Sequence, residues 1–298
     1  MIHTRTLYIV NPVAGRGRSL RVWRELEAKL KEKGLPPDHR MTPGPLTVTG
    51  ITEESVRRGY DRIVAVGGDG TVREIVSALV GSNVELGIVP AGTGNDFART
   101  FGLPKTVDEV IPLLAGNHWT AADVGRVNGN YFVNIAGCGI DADIAEAVNR
   151  SRVIVNGTVT YLLTAVKTVL GYASAFMRIS IDGKIIEGRV LVLAVANGKF
   201  YGGGIMMAPD ARVDDGKFHV IVARDVSRSE ALRLLPLTYS GRHILNRKVH
   251  VYTGSEVSVE ADRPLAIQAD GTLVGNVPTT FSLLPGALRV LAPPGDGR

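Results

Sequence analysis

Short apolar runs alternate with helix-like stretches through the first third of the chain. Residues 7–10 and 63–66 are continuous apolar runs that end at turn-forming residues, as the buried strands of a parallel sheet do. Between them, apolar residues recur at spacings of three and four from Leu20 to Leu30, which predicts a helix capped by Ser19 and ended by Gly34. This alternation predicts an α/β domain in which helices flank a parallel sheet. The same reasoning predicts helices over residues 52–59, 72–80 and 106–114 and a strand over residues 86–89.

The pattern changes near Trp119 to short β-branched or aromatic runs that are separated by Gly, Asn and Asp turns. This pattern is typical of an antiparallel, sandwich-type β domain. We expect strands over residues 131–135, 176–181, 184–196, 218–223, 248–252, 265–268 and 279–284, with helices over residues 158–170 and 229–237. Asp182-Gly183 predicts a hairpin turn between two of these strands. The predicted domains are residues 1–122 and 123–287, with a tail, 288–298, able to pack back on the first.

Composition narrows the class of protein. The longest apolar stretch, residues 190–196, is far shorter than the ~20 residues that span a bilayer. The amino terminus lacks the apolar core of a signal peptide, and the single cysteine, Cys138, favours a reducing compartment. We therefore interpret the chain as cytoplasmic. Its formal net charge of +5 is scattered, which weakly favours contact with phosphates or anionic lipid, and we expect no nucleic-acid partner.

Three glycine-rich loops follow predicted strands, so they should meet at the carboxyl edge of the sheet, where ligands of such folds bind. The first contains Asn11, Gly15 and Gly17 and leads into a helix, whose amino terminus can hold a phosphate. Arg16 and Arg18 add positive charge. This loop lacks the ending of a P-loop, and a flexible strand-to-helix turn is the alternative interpretation.

The second and third loops add carboxylates to the glycines. Gly68, Asp69, Gly70 and Thr71 follow one strand, and Gly92, Thr93, Asn95 and Asp96 follow the next. We expect Asp69, between two glycines, to have no packing role and to serve a ligand. Asp96 could be simply an acidic residue in the first turn of a helix. Two carboxylates beside a phosphate site predict Mg²⁺, as phosphoryl transfer requires.

These motifs carry a resemblance to a known family. Asn-Pro-x-x-Gly-x-Gly, Gly-Gly-Asp-Gly-Thr and Gly-Thr-Gly-Asn-Asp-Phe-Ala-Arg, in this order and spacing, resemble the bacterial diacylglycerol-kinase-like lipid kinases, which are related to sphingosine kinases. The resemblance covers nearly the whole chain, through residues 122–125, 134–141, 196–198, 201–204, 208–211, 214–216 and 270–271. NAD kinases share Gly-Gly-Asp-Gly-Thr, so a kinase with a soluble substrate stays an alternative, although the chain lacks an Asn-Asn-Glu element.

The resemblance implies an enzyme that transfers the γ-phosphoryl group of ATP to a lipid hydroxyl, with diacylglycerol or a related glycerolipid as the expected substrate. It also implies peripheral contact with a membrane; the sequence allows a homodimer without fixing the oligomeric state. By resemblance, Asn11, Gly68, Gly70, Thr71 and Thr93 line the ATP site, and Asp69, Asp96 and Asp123 place Mg²⁺. Asp214 and Asp215 resemble a second metal site, although a plain Asp-Asp-Gly turn is the alternative.

One position departs from the family pattern. The family has Asp-Gly-Glu near its end, with the glutamate as general base, whereas this chain has Asp270-Gly271-Thr272. Thr272 cannot act as a base near neutral pH. Three alternatives stay open: Asp270 or another carboxylate substitutes, catalysis depends mainly on positioning and charge, or the protein is a weakly active or non-catalytic lipid or nucleotide binder. The apolar positions of residues 158–170 predict a core face, with a lipid groove as the alternative.

Overall fold

The computed structural model describes residues 4–44, 47–144 and 166–293 of the 298-residue chain. These residues form two compact units. Unit 1 contains the described residues up to Asp123 and those from Pro285 onward, and unit 2 spans Val124–Leu284. The predicted fold class, a parallel α/β domain and a β-rich domain, is confirmed.

Unit 1 is a parallel sheet with helices in the connections between its strands. The strands are β1 (Thr6–Val10), β2 (Asp38–Met41), β3 (Arg62–Gly67) and β4 (Glu85–Pro90), and the helices are α1 (Arg18–Glu32), α2 (Val48–Arg57), α3 (Asp69–Leu79), α4 (Asp96–Thr100) and α5 (Val107–Ala115). The strand order is β2-β1-β3-β4, and Arg289 and Val290 of the last strand of the chain continue the sheet in parallel beside β4. Because Val10 pairs with Val66 and Gly67 pairs with Pro90, the three strands end at one edge.

The helix starts differ from the sequence predictions for physical reasons. The apolar face of α1 is buried as predicted, but Ser19 is not its cap. Gly17 takes the cap position at φ 85°, and the buried Ser19 hydroxyl donates to the Val66 carbonyl at 2.9 Å. Helix α3 begins three residues earlier than predicted, since the extended Gly68 precedes it, so Asp69 lies in its first turn. Helix α2 begins four residues and ends two residues earlier than predicted. Strand β2 was not predicted because its residues are polar and mostly exposed.

Unit 2 is an antiparallel assembly. Its strands are β5 (Trp119–Val127, which begins in unit 1), β6 (Asn130–Phe132), β7 (Ile135–Gly139), β8 (Ala175–Ile181), β9 (Lys184–Ala196), β10 (Phe200–Tyr201), β11 (Ile205–Met206), β12 (Phe218–Arg224), β13 (Val249–Gly254), β14 (Glu256–Ala261), β15 (Ala266–Ala269), β16 (Thr272–Asn276) and β17 (Thr279–Leu291, which ends in unit 1). The main order is β16-β15-β7-β9-β8-β14-β17, and β12 pairs with β9 and β13.

Strand β9 explains the longest apolar run of the sequence. Leu193 and Val195 pack into one hydrophobic core of unit 2, and Val190 joins the same core because the strand pairing shifts register between Val190 and Val192. Val192 and Ala194 pack into a second core together with the helical segments. Because successive side chains of a strand point to opposite faces, a strand covered on both faces requires apolar residues at every position. The run at residues 190–196 is therefore a two-sided core strand.

Several predicted elements of unit 2 were misplaced. The single strand expected over residues 131–135 is split into β6 and β7, because the amides of Val133 and Asn134 bond to the Asp270 carboxylate. The helix expected over residues 229–237 is shorter, α6 (Arg228–Leu234). A 3-10 helix, Leu235–Ser240, follows it and has Pro236 in its first turn. Strands β14 and β16 were not predicted, and β17 is longer than expected.

Of two further predictions, the hairpin turn is confirmed, and the helix over residues 158–170 lies only partly within the described residues. Asp182 and Gly183 form the predicted turn, both at positive φ (46° and 84°). Of the helix predicted over residues 158–170, residues 158–165 lie outside the described residues, whereas residues 166–171 are helical. Within that helical part, Val169 is buried in a core of unit 2 and Leu170 is exposed. Among the described residues, no helix combines the length and apolar character needed to cross a bilayer.

Candidate active site

The three glycine-rich loops meet at the carboxyl edge of the unit 1 sheet. Asn11, directly after β1, donates from its side-chain amide to the Thr71 hydroxyl in the first turn of α3 at 3.1 Å. The backbone N–H of Asn11 donates to the carbonyl of Val66 on β3 at 3.1 Å. The amides of Ala91 and Gly92, after β4, both donate to the Gly67 carbonyl. Adjacent strand ends are therefore cross-linked by hydrogen bonds.

Glycine is required where these loops pack backbone against backbone. A Cβ on Gly15 would lie 2.2 Å from the Ala91 carbonyl oxygen, and Gly15 also has a φ of 56°. A Cβ on Gly92 would lie 2.4 Å from the Cα of Gly68. In contrast, a Cβ on Gly70 would meet no protein atom within 4 Å, and its φ is not in the left-handed region. Packing thus explains Gly15, Gly68 and Gly92, whereas the fold places no demand on Gly70.

A cavity of about 350 Å³ lies between these loops. Seven of the predicted nucleotide-site residues line it: Asn11, Gly15, Gly68, Gly70, Thr71, Gly92 and Thr93. The wall is built from glycines, small side chains and backbone, which is the composition that lets a phosphate chain approach main-chain N–H groups. Helix α3, eleven residues long, begins at this cavity with the positive end of its dipole.

Two predicted nucleotide-site residues shape the loops and do not line the cavity. Gly17 sits in the left-handed region and begins α1. Asn95, at φ 52°, accepts from the Gly92 amide at 2.9 Å and donates to the Gly92 carbonyl at 3.0 Å. These bonds close the third loop into a rigid turn, so Asn95 positions Gly92 against Gly68.

Asp69 has the packing contacts that the sequence analysis did not expect. Its carboxylate accepts from the amide of Phe97 at 3.2 Å, so it caps α4 from a neighbouring loop. Burial raises the pKa of Asp69, and hydrogen bonds from the amides of Phe97, Asp96 and Asn95 oppose that rise. The expectation that Asp69 lacks a structural role was therefore wrong, because the third loop folds over it.

The other predicted acids are distributed around unit 1. Asp96 is buried in the first turn of α4, with one carboxylate oxygen 3.9 Å from the Arg99 guanidinium. Its backbone amide faces the Asp69 carboxylate. Asp123 is buried on β5, where it accepts from the amide of Gly286 at 2.8 Å. Across the described parts of the chain, no three His, Cys, Asp or Glu side chains converge into a metal-binding group.

Four residues of the cavity wall lie outside the three predicted loops. Thr42, Pro43 and Gly44 follow β2, and the Thr42 amide donates to the Val10 carbonyl at 2.9 Å. They were missed because β2 has no apolar pattern. Glu74 lies one helical turn after Thr71, a spacing that the sequence does contain, and its carboxylate accepts from the Val48 amide at 3.1 Å.

In unit 2, the motif around Asp270 forms one hydrogen-bonded cluster. Asp270 accepts from the amides of Val133, Asn134 and Ile135 at 2.8, 3.0 and 3.1 Å. The amides of Asn197 and Gly198 donate to the Asn134 carbonyl. Asp270 and Gly271 have φ values of 45° and 79° and form the β15–β16 turn. Thr272 is the residue directly after this turn. Asp270 therefore holds the β6–β7 connection, and its catalytic role stays a prediction.

Asp214 and Asp215 lie in the turn before β12. Asp214 pairs with the Arg212 guanidinium at 3.2 Å, and Asp215 accepts from the Lys217 amide at 3.1 Å. The imidazole of His219 lies 3.8 Å from the second Asp215 oxygen. These contacts are those of an Asp-stabilised turn, and the metal site at this pair stays a prediction.

Asp141 is a further notable residue of unit 2. It lies in the first turn of a helical segment that begins at Ile140, and it is fully buried. Its carboxyl accepts from the Gln268 amide at 3.2 Å, and burial raises its pKa to about 7. It lines a cavity of about 90 Å³ whose other walls are mainly apolar, with polar groups on Tyr201, Thr238 and His243. A buried carboxyl against an apolar cavity has no signature in the sequence.

Both parts of the chain match known protein families. Residues 5–127 match the family described as "Diacylglycerol kinase catalytic domain", and residues 134–292 match "YegS C-terminal NAD kinase beta sandwich-like domain". A diacylglycerol kinase of Mycobacterium tuberculosis is 30% identical over 96% of this chain and 94% of its own length. A diacylglycerol kinase of Bacillus subtilis is 29% identical over 97% of this chain and 96% of its own length.

Solved structures share the fold over its full length. A crystal structure from Bacillus anthracis superposes with a TM-score of 0.81 at 25% identity and covers 99% of both chains. A second, of a diacylglycerol kinase from the same organism, has a TM-score of 0.76 at 23% identity. With family matches over both units and a relative at 30% identity over nearly the whole length, the chain belongs to the bacterial diacylglycerol-kinase-like family of lipid kinases.

Proposed function

We propose that this protein transfers the γ-phosphoryl group of ATP, with Mg²⁺, to the hydroxyl of diacylglycerol or a related glycerolipid. The observation that carries the proposal is the glycine-walled cavity at the carboxyl edge of the unit 1 sheet. Three loops that follow three strands converge there. Packing does not require a glycine at position 70, because a Cβ there would meet no protein atom within 4 Å. Such a wall suits a triphosphate, whose oxygens bond to backbone N–H groups at close range.

Different residues of the cavity would contact ATP in different ways. Gly68 and Gly70 let the phosphates approach the amino terminus of α3, whose dipole favours their negative charge. The Thr71 hydroxyl, fixed by the Asn11 amide at 3.1 Å, offers a polar contact on the same wall. Arg18, exposed at the first position of α1, adds positive charge directly after the first loop.

The donor set fits Mg²⁺ in the way that phosphoryl-transfer enzymes use it. The Asp69 carboxylate faces the backbone amide of Asp96, and Mg²⁺ is usually held by one or two carboxylates together with water and substrate phosphates. That mode does not need the three-carboxylate cluster that is missing from the described residues. When bound, the ion neutralises charge on the phosphates. Asp69 and Asp96 would hold it: neither is part of the cavity wall, but each adjoins a loop that lines the cavity.

The cavity of unit 2 supports a lipid as the acceptor. The cavity of unit 2 has aliphatic walls, including Leu191 and Ile221, which suit part of an acyl chain. Thr272 cannot take the proton of the lipid hydroxyl, so catalysis here depends on positioning and charge neutralisation. A loose transition state for phosphoryl transfer makes that sufficient for turnover, at a rate below that of a relative with a general base.

Transfer of labelled γ-phosphate from Mg-ATP to a panel of detergent-dispersed lipids tests the proposal, with NAD as a soluble acceptor. The matched blank is Asp69→Asn, because asparagine can still accept from the Phe97 amide and so preserves the α4 cap. Label in a glycerolipid, absent from the blank, is the expected result. Label in NAD would favour the soluble-substrate alternative. ATP binding without label in any acceptor would favour a non-catalytic binder.

A further inference from the structure

The outer face of the segment at residues 231–248 combines exposed apolar and basic side chains. It presents two exposed leucines, Leu237 at 36% and Leu245 at 77% exposure. The same segment has three exposed arginines, which lie before, between and after the leucines in the sequence: Arg233, Arg242 and Arg247. Residues 231–248 contain four basic residues and no aspartate or glutamate. We call Arg233, Leu237, Arg242, Leu245 and Arg247 the Leu–Arg surface.

The leucines are held outward by an ordered scaffold. The Thr238 hydroxyl donates to the Leu235 carbonyl at 2.6 Å, and the buried His243 bonds through Nε2 to the Met207 carbonyl at 3.0 Å. Gly241, which links the two 3-10 helices Leu235–Ser240 and Arg242–Leu245, packs against Pro209 at φ 71°. The exposure of Leu237 and Leu245 is therefore imposed by the fold and is not a property of a loose loop.

The arginines are available for an external anion. Within residues 4–44, 47–144 and 166–293, no ion pair joins Arg233, Arg242 or Arg247 to an acid. The nearby Glu230 is already paired with Lys248 at 2.7 Å and with the amide of Ser227. Unpaired arginines interleaved with exposed leucines are the composition of segments that lie in a membrane interface.

The inner face of the same segment lines the apolar cavity. Leu234, Leu235, Thr238 and His243 form part of its wall. The Leu–Arg surface is thus the outside of the element whose inside bounds the place that we assign to acyl chain. A bilayer on the outer face would bring lipid to the cavity wall without travel through water.

We propose that the Leu–Arg surface docks unit 2 onto an anionic lipid bilayer, with Leu237 and Leu245 inserted among the acyl chains and the arginines on the phosphate headgroups. This inference rests on the proposed lipid kinase function, because it names the surface through which that enzyme reaches its substrate. Charge complementarity and continuity with the cavity wall select the bilayer as the occupant.

Co-sedimentation of the full chain with vesicles tests this directly. Vesicles of phosphatidylcholine with phosphatidylglycerol are compared with phosphatidylcholine alone. The test variants are Leu237→Ser/Leu245→Ser and Arg242→Gln/Arg247→Gln, and the matched controls are Leu35→Ser and Arg24→Gln, which change an exposed leucine and an exposed arginine of unit 1.

We expect the wild type to bind the anionic vesicles. Each arginine removed should weaken binding about fivefold at low salt, hence roughly 25-fold for the pair. The double leucine variant should weaken binding roughly tenfold at both low and high salt, since its contribution is apolar. The controls should stay within about twofold of wild type.

A second readout separates this inference from the kinase proposal. Phosphorylation of dioctanoylglycerol below its aggregation limit should be unchanged in the test variants, whereas phosphorylation of vesicle-borne diacylglycerol should fall with vesicle binding. If wild type phosphorylates neither lipid but still binds vesicles through this surface, the kinase proposal fails and the docking surface stands. Equal vesicle binding by wild type and test variants would overturn the docking proposal. So would a change in oligomeric state with vesicle binding intact, which would assign the surface to contact between copies.

Discussion

Asp141→Asn should make the stability of unit 2 less sensitive to pH. The carboxyl is fully buried and accepts a hydrogen bond from Gln268, and burial raises its pKa to about 7. Asparagine keeps an acceptor for the Gln268 amide but cannot ionise. The substitution therefore removes the titration and preserves the contact.

The sign follows from the linkage between protonation and folding. A carboxyl whose pKa is higher in the folded than in the unfolded state stabilises the fold fully below its unfolded value, near 3.9, and this stabilisation is lost as pH rises through the folded value. Folding must then keep a buried charge that the unfolded chain exposes to water. Wild-type stability should accordingly fall from pH 4 to above pH 7 relative to the variant.

The magnitude follows from the size of the pKa rise. A shift of about three units corresponds to roughly 4 kcal/mol over the whole range. Between pH 5 and pH 8 the wild type should lose roughly 2.5 kcal/mol more than Asp141→Asn. An exposed carboxyl of the same unit, Asp210, provides the matched control, and Asp210→Asn should show no such difference.

Urea unfolding of the full chain, monitored by hydrogen exchange of peptides from β7 to β9, measures the unfolding free energy of unit 2 alone. The wild-type minus variant difference in unfolding free energy is compared at pH 5 and pH 8. A difference that is the same at both values would refute the reasoning, because it would mean that Asp141 stays ionised or stays protonated throughout.

Three further predictions concern the site. Gly70→Ala should leave thermal stability unchanged or slightly raised, since its Cβ meets open space in a helix, yet should weaken ATP binding measured by calorimetry; unchanged affinity would remove Gly70 from the nucleotide site. Gly15→Ala should destabilise unit 1 by about 1–3 kcal/mol in urea unfolding, because its Cβ would lie 2.2 Å from the Ala91 oxygen at a φ of 56°; a neutral effect would contradict that packing. Thr272→Glu should raise lipid phosphorylation about 10²-fold or more if a missing general base limits the rate. No gain would mean that positioning limits it.

The sequence predicted those parts of the site whose causes are local. Parallel strands that end in glycine-rich turns bring Asn11, Gly68 and Gly92 to one edge, because the strand ends themselves are adjacent. The lining of the cavity by seven predicted residues follows from that rule. The structural role of Asp69 was not predictable, since it depends on the third loop folding over the second.

The remaining misses have long-range causes. The break between β6 and β7 is imposed by Asp270, more than 130 residues away in the chain, so no local pattern could indicate it. Asp141 is buried by elements from several parts of unit 2, and its raised pKa exists only once they pack. Ser19 had the sequence of a cap, but Gly17, two residues earlier, adopts the left-handed conformation and takes that position.

The most direct test of the central claim is phosphoryl transfer itself. Purified full-length protein is incubated with γ-labelled Mg-ATP and diacylglycerol, beside the Asp69→Asn blank, with folding of both verified by thermal unfolding. Labelled phosphatidic acid from the wild type and none from the blank is the predicted result. No labelled lipid from wild-type protein that binds ATP would contradict the proposal that this chain is an active lipid kinase.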